Sequence, residues 1–306
     1  MVNILLTGGA GYIGSNTCDI LLESGHNIFI IDNLSNSSLK NIRILEDKHN
    51  SSNKKLFFFE KDIKNINDLR FVFKYALSIK KTIDFVIHFS GLKSVSESLK
   101  FPLKYWENNV VGSINLLKIM DKFNFNNIIF SSSACVYSKK IKPPFLESSF
   151  IEPENPYGYT KVAVENTLIN LFESDPKRWR IAILRYFNPI GVNPSLGIGD
   201  NLVNTSKNIF PLLCKAANYE SFTFTVNGKN WDTYDGSCIR DYIHIVDLAQ
   251  AHANTLDFLL KNESNSKKLI LNIGTGKGTS VLQLIKILEK VSGKKIQYVF
   301  GEKREG

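Results

Sequence analysis

Short apolar runs alternate with longer amphipathic stretches through the first 187 residues. Asn3–Thr7 (NILLT) is an apolar run bounded by Gly8-Gly9. A helical pattern follows over residues 12–24 and stops at Gly25, a C-terminal cap. Asn27–Asp32 (NIFIID) reads as a second strand, residues 56–59 as a third leading to Asp62, and residues 84–89 (DFVIHF) as a fourth. Residues 127–131 (NIIFS) and 180–184 (RIAIL) read as a fifth and a sixth. Helical patterns separate them, notably over 102–122 and 157–173. Continuous Val/Ile/Phe runs mark strands buried on both faces, and their alternation with helices predicts an α/β fold with a doubly wound parallel sheet.

The pattern changes after Tyr186. Residues 188–241 are rich in Pro, Gly and Asn punctuation, with one helix predicted over 209–217 and one short strand over 222–226. Regularity returns as a helix over 246–260, a strand over 269–273, a helix over 281–291 and a strand over 296–300. The expected organisation is a nucleotide-binding domain over 1–187 with a returning segment around 241–275. A smaller, partly discontinuous C-terminal lobe takes 188–240 plus 276–306. The polar segments 47–54 and 262–268 read as exposed loops.

Composition narrows the function classes. At 306 residues, 43% hydrophobic and 22% charged, the chain is long and apolar enough for a sizeable core. No apolar run reaches the roughly 18 residues of a membrane span, so no membrane role is expected. The opening residues MVNILLTGG carry no basic region ahead of the apolar run, so a secretory signal is not expected and the cytoplasm is. Cys18, Cys135, Cys214 and Cys238 are scattered without a C-x-x-C pair, which disfavours zinc and disulfides and fits a reducing compartment. The net charge of +9 comes from dispersed lysine pairs such as Lys80-Lys81 and Lys139-Lys140, not from one stripe. Nucleic acid is therefore not the expected partner, and an anionic small molecule suits the charge equally well.

Gly8, Gly11 and Gly14 form G-x-x-G-x-x-G between the first strand and the first helix. Glycines there permit a tight turn, close approach of backbone N–H groups to a pyrophosphate, and close packing of helix on sheet. Asp32, ending the second strand, can accept hydrogen bonds from ribose hydroxyls and would repel a 2′-phosphate; no Arg follows it closely, so NAD is predicted over NADP. Asp62 is a candidate for the adenine edge. Tyr157-x-x-x-Lys161, opening a helix after Pro156, sets a phenol and an ammonium on one helix face. An ammonium and a cationic nicotinamide ring favour the phenolate, so the pair can take a proton from an alcohol as hydride leaves. Ser131-Ser132-Ser133 stands at the carboxyl end of the fifth strand, where doubly wound sheets bind ligands.

These features resemble the extended short-chain dehydrogenase/reductase family and, within it, the UDP-galactose 4-epimerase subgroup. The segments that carry the resemblance are TGGAGYIGSNTC (7–18), IDNLSNSS (31–38), HFSGLKSVSES (88–98), ENNVVGS (107–113), FSSSACVYS (130–138), NPYGYTK (155–161), LRYFNPIG (184–191), DGSCIRDYIHIVDLA (235–249) and KREG (303–306). The resemblance implies a Rossmann-like domain and reversible, NAD-dependent epimerisation at C4 of UDP-hexoses through a 4-ketose. It implies Tyr157 as catalytic base, Lys161 as its activator and ribose anchor, and Ser133 as third partner. Gly8, Gly11, Tyr12, Ile13, Gly14, Asp32, Asn33, Asp62, Ile63, Phe89, Ser90, Gly91, Lys93 and Asn108 match cofactor positions, with Phe187 near the nicotinamide. Asn188, Asn208, Ile209, Arg240 and Arg304 match positions that hold the UDP-sugar, where guanidinium forks suit phosphate oxygens. A homodimer through the helices over 102–122 and 157–173 is implied as well.

The match has departures. Cys135 stands where the family usually has Thr, Tyr159 where a small or basic residue is common, and Asn227 where an aromatic often packs on uracil. The family continues past R-E-G, so the smaller lobe is expected to be incomplete at Gly306. A nucleotide-sugar 4,6-dehydratase is a rival reading, but such enzymes carry Asp-Glu just after the serine run, where this chain has Ala134-Cys135-Val136. A non-catalytic NAD-binding module is the other; degenerate members lose the Tyr/Lys pair, which is present here.

Overall fold

The computed structural model describes residues 1–49, 54–200, 208–261 and 267–303. Strands and helices alternate as β1 (Asn3–Thr7), α1 (Tyr12–Glu23), β2 (Asn27–Asp32), α2 (Leu39–His49), β3 (Leu56–Glu60), α3 (Ile66–Ser78) and β4 (Phe85–His88). Then come α4 (Val95–Lys100), α5 (Pro102–Tyr105), a π-helical turn (Trp106–Val111), α6 (Gly112–Lys122), β5 (Asn127–Ser133), α7 (Pro156–Ser174) and β6 (Arg180–Tyr186). The remainder comprises β7 (Asn188–Ile190), β8 (Val192–Asn193), β9 (Ile198–Gly199), α8 (Ile209–Asn218), β10 (Phe224–Asn227), β11 (Ile239–His244), α9 (Ile245–Lys261), β12 (Lys267–Ile273), β13 (Gly278–Ser280), α10 (Val281–Ser292) and β14 (Tyr298–Gly301).

Seven strands form one sheet in the order β12-β6-β5-β4-β1-β2-β3, and every pairing in it is parallel. Successive side chains of a strand point to opposite faces, so each run feeds two cores. Ile4, Leu6, Ile28 and Ile30 pack with Leu21, Leu45, Leu248 and Leu256 from α1, α2 and α9. Leu5, Phe29, Ile31 and Val86 pack on the other face with Leu69, Phe73, Leu116 and Leu168 from α3, α6 and α7. The direction of winding reverses between β1 and β4, which opens a crevice beyond their carboxyl ends. A third cluster is separate: Leu213, Phe224, Val226, Leu284, Ile285 and Ile296 join α8, β10 and α10.

The sequence expectations hold for all seven sheet strands, with instructive differences at their ends. Strand β5 runs two residues further, to Ser133, and β6 runs to Tyr186, because the two pair in register all the way to Ser133 opposite Tyr186. The helix expected over 102–122 is interrupted by the π turn, and Asn109 inside that turn is buried. Gly112 ends the interruption where a Cβ would lie 2.7 Å from the Ile63 side chain. The loop expected over 47–54 is in part helix: residues 47–49 close α2, with the Lys48 ammonium and His49 imidazole on the buried Asp19 carboxylate. Lys267 and Lys268, expected in a loop, start β12. Phe222 precedes β10, and Ile296 seals the third cluster just ahead of β14. From the region read as loop-rich, β7 pairs with β11, and β11 with β13 from further along the chain, as a small sheet.

Candidate active site

The glycine turn is built so that side chains cannot enter it. Gly8 holds φ +70°, and a Cβ there would sit 2.7 Å from the Ser90 amide nitrogen. A Cβ on Gly14 would lie 2.5 Å from the Gly8 carbonyl oxygen and 2.7 Å from the Gly9 Cα. Gly11 is the N-cap of α1, and no side chain caps that helix, so its first-turn N–H groups face the crevice as an anion site. Tyr12 and Ile13 open the helix, and the Tyr12 hydroxyl donates to the Gly191 carbonyl at 2.7 Å. This cradle fits a dinucleotide pyrophosphate. Gly14→Ala presses on rigid backbone and is expected to cost about 1–3 kcal/mol of stability, as overpacking does. It should also strip dinucleotide from the purified protein, read from the absorbance ratio at 260 and 280 nm.

Beyond β2, the Asp32 carboxylate accepts from the Ala10 amide at 3.0 Å, the Leu34 amide at 2.9 Å and the Ser37 hydroxyl at 2.8 Å. Burial pushes its carboxyl pKa up, and those three donors oppose the rise. Asn33 donates to the Asp62 carboxylate at 3.1 Å, so the segments just beyond β2 and β3 meet. Ile63 is buried against Gly112. After β4, Phe89 packs its ring 4.9 Å from that of His252, and Ser90 donates its amide to Thr7 Oγ1. Gly91 leaves only 3.5 Å between its Cβ position and both Asn109 Oδ1 and Lys161 Nζ. Asn108 lies in the π turn and bonds Asn109 at 3.0 Å.

Helix α7 starts with Asn155 as N-cap, its side chain accepting from the Gly158 amide at 2.9 Å, and Pro156 in the first turn. Gly158 lets the helix press onto the Cys135 carbonyl, 2.7 Å from its Cβ position. Tyr157 and Lys161 then face the end of β5. Lys161 Nζ donates to the Ser131 carbonyl at 2.7 Å and sits 5.8 Å from the Tyr157 ring centroid. Burial pulls the Lys161 pKa down to about 8, while Glu165 and Cys135 oppose the fall, so the ammonium persists at neutral pH. Burial, with Cys135 adding, pushes the Tyr157 phenol up; the Ser133 hydroxyl beside it favours the phenolate. The three consecutive serines thus divide the work: Ser131 holds the lysine, Ser132 donates to Glu165, and Ser133 faces the tyrosine.

The remaining predicted residues come from β6 onward. Phe187 follows β6 and lies against Gly274, whose Cβ position is 2.9 Å from its ring. Asn188 donates to the Asp241 carbonyl at 3.0 Å, and the pairing of β7 with β11 brings exposed Arg240 to the same small sheet. Asn208 caps α8 ahead of Ile209 and bonds the Asp200 carboxylate, which also holds Lys93 at 3.2 Å. Asp200 therefore links a cofactor candidate to a substrate candidate. Arg304 lies outside the described residues.

A family profile described as the NAD dependent epimerase/dehydratase family matches residues 4–274. The chain belongs to this family. This epimerase/dehydratase is 41% identical to the UDP-glucose 4-epimerase of Bacillus subtilis (strain 168) over 99% of its own length and 86% of that protein's. It is 40% identical to UDP-glucose 4-epimerase 2 of Oryza sativa subsp. japonica, covering 99% of this chain and 72% of the relative. Among solved structures, the UDP-glucose-4-epimerase of Stenotrophomonas maltophila with bound NAD and formylated UDP-arabinopyranose superposes with a TM-score of 0.91 at 37% identity, covering 100% of this chain and 88% of that one. The Bifidobacterium longum UDP-glucose 4-epimerase with NAD+ and UDP superposes with a TM-score of 0.89 at 36% identity, with the same coverage.

Sequence reasoning about this epimerase/dehydratase left His88, Asn109, Thr160, Glu165, Arg185 and Asp200 without roles. The structure places Thr160 and Glu165 in α7 and Asn109 in the π turn, with His88 bonded to Ser113 and Arg185 to Glu165. His88 and Asn109 were inside quoted segments, and a polar residue ending an otherwise apolar buried strand was the available signal for His88. Glu165, four residues after Lys161, was on the same helix face.

Proposed function

We propose that the chain catalyses reversible, NAD-dependent inversion at C4 of UDP-hexoses, interconverting UDP-galactose and UDP-glucose through a 4-ketose. The observation that carries this reading is the meeting of Tyr157, Lys161 and Ser133 at the carboxyl edge of β5, beside the glycine turn, in a chain 41% identical to a UDP-glucose 4-epimerase over 99% of its length.

NAD, when bound, would supply the hydride acceptor for the sugar C4 and the donor for the hydride's return. Gly8, Gly11 and Gly14, with Tyr12 and Ile13, hold its pyrophosphate. Asp32, Asn33, Asp62 and Ile63 take the adenosine end. Phe89, Ser90, Gly91, Lys93, Asn108, Lys161 and Phe187 line the path to the reacting end. Tyr157 Oη removes the proton of the 4-hydroxyl and gives it back after the ketose has turned. The Lys161 ammonium holds negative charge on that oxygen, and Ser133 Oγ donates to the C4 oxygen. Asn188, Asn208, Ile209, Arg240 and Arg304 hold the UDP. Firm binding of UDP and loose binding of the hexose let the ring rotate between the two transfers, so affinity comes from groups remote from C4.

On this reading residues 1–187 with the 241–275 return form the NAD domain, and 188–240 plus 276–306 the substrate lobe; the separate cluster around Leu213 and Ile285 supports the division. The active species is a homodimer. Exposed Leu103, Trp106, Val111 and Tyr159 on α5, the π turn and α7 support that face. The enzyme works in the cytoplasm, consistent with four free cysteines. Among the described residues no helix is long and apolar enough to cross a membrane. The dehydratase reading is not favoured: Ala134 and Cys135 supply no carboxylate after the serines.

The test is incubation of purified protein with UDP-galactose and no added cofactor. UDP-glucose is expected, approaching an equilibrium mixture. A folded, NAD-loaded sample that yields none overturns the assignment.

A further inference from the structure

His88, at the end of β4, lies between two parts of the cofactor crevice and is 1% exposed. Its Nδ1 meets Thr7 Oγ1 at 2.6 Å, and its Nε2 meets Ser113 Oγ at 2.7 Å. The Ser113 hydroxyl spends its one proton on the Asn109 carbonyl, so it can only accept from His88. Nε2 therefore carries the imidazole proton, and Nδ1 accepts from Thr7. Thr7 Oγ1 in turn accepts from the Ser90 amide at 3.3 Å. Every proton in this line points one way, from the glycine turn toward the π turn. Burial, with Lys161 adding, holds the imidazole neutral, its pKa down at about 3.

The line continues to the catalytic helix. Asn109 accepts from the Leu92 amide at 2.8 Å and donates to the Leu92 carbonyl at 3.0 Å and to Thr160 Oγ1 at 3.1 Å. Thr160 Oγ1 donates to the Tyr157 carbonyl at 2.7 Å. The Phe130 ring lies 5.6 Å from the neutral His88 ring and 4.9 Å from the cationic Lys161 Nζ.

We propose that His88 is a positioning residue. Through Ser113 and Asn109 it sets the distance between the glycine turn and the helix that carries Tyr157 and Lys161, so that both ends of the dinucleotide are gripped at once. The proposal rests on the epimerase reading for the reaction it serves. The π turn is the means: its extra residue places Asn109 where one side chain bonds Leu92 twice and Thr160 once, and the bond from His88 through Ser113 pins the turn's carbonyl.

The experiment compares His88→Gln, His88→Asn and His88→Leu, each purified as the NAD-loaded protein. Glutamine can place its amide N–H where Nε2 stood and keep the Ser113 bond; asparagine reaches only toward Thr7. Two quantities are read per folded molecule: the rate at which NAD is lost on dilution, and kcat against KM for UDP-galactose. His88→Gln is expected near wild type in both. His88→Asn and His88→Leu are expected to lose NAD about tenfold faster, the scale of one buried hydrogen bond, with kcat falling and KM unchanged. Should the leucine variant not fold, Ser113→Ala cuts the same line at its middle and is expected to match His88→Asn. Asparagine performing as well as glutamine, or wild-type NAD loss in all variants, overturns the proposal. If wild-type protein shows no epimerisation, the functional reading fails while the NAD-loss series still decides the role of His88.

Discussion

Replacing Tyr157 by phenylalanine is expected to leave a folded, NAD-retaining protein whose kcat on UDP-galactose falls about a hundredfold to ten-thousandfold, the range of general acid–base catalysis. The Tyr157 ring is 8% exposed and packed at the start of α7, so phenylalanine keeps the packing. What disappears is the one oxygen that faces Ser133. The effect belongs in kcat because the hydroxyl moves a proton in the transition state, whereas UDP affinity is held elsewhere. Thermal melting and NAD content serve as controls. Turnover within a few-fold of wild type would remove Tyr157 from the role of base, and an equal rise in KM would mark it as a substrate-holding residue only.

Arg185→Met is expected to destabilise the protein by about 3–5 kcal/mol, the cost of stranding one member of a buried ion pair. Arg185 and Glu165 are each 1% exposed. The guanidinium grips the carboxylate with two bonds, Nε to Oε1 at 3.1 Å and Nη2 to Oε2 at 2.7 Å. It also donates to the Tyr137 hydroxyl and the Glu147 carbonyl, both at 2.9 Å. The ion pair outweighs burial and keeps the guanidinium firmly protonated. Methionine fills part of the volume but leaves the Glu165 carboxylate without its paired guanidinium, with only the Ser132 hydroxyl bonded to it and the Lys161 ammonium one turn away. Arg185→Met combined with Glu165→Leu should recover most of the loss, because an apolar pair carries no desolvation penalty. Urea unfolding of the two variants measures this. A single variant within about 1 kcal/mol of wild type, the usual size of an exposed pair, would deny the pair its structural role. The bridge joins α7 to β6 one turn beyond Lys161, so a loosened pair is also expected to blunt catalysis.

Much of the site was legible because its chemistry is spaced locally. Tyr157 and Lys161 share a face by the geometry of any helix, and Gly8, Gly11 and Gly14 mark a turn by their lack of side chains. By spacing alone Ser133 is legible only as part of a run, and it is the family resemblance that singles it out. Its neighbours look identical in sequence, and they separate into a lysine acceptor, a partner of Glu165 and a partner of Tyr157 once β5 pairs with β6 to the end of its length. The sequence predicts an uninterrupted helix over 102–122 because nothing in WENNVV breaks helical periodicity. The interruption arises from what Asn109 meets on Leu92 and Thr160.

By itself, the sequence determined the strand–helix alternation, the parallel sheet, the glycine turn and the tyrosine–lysine pair. These follow from side-chain periodicity and from spacings of a few residues, which the backbone converts directly into faces and turns. Only the tertiary structure decided which polar groups are joined across the crevice. Thr7 and His88 are 81 positions apart, Ser132 and Glu165 are 33, and Lys93 and Asp200 are 107. Such partners meet only because the sheet aligns its carboxyl ends at one edge. There burial removes water as an alternative partner and obliges each polar group to find another.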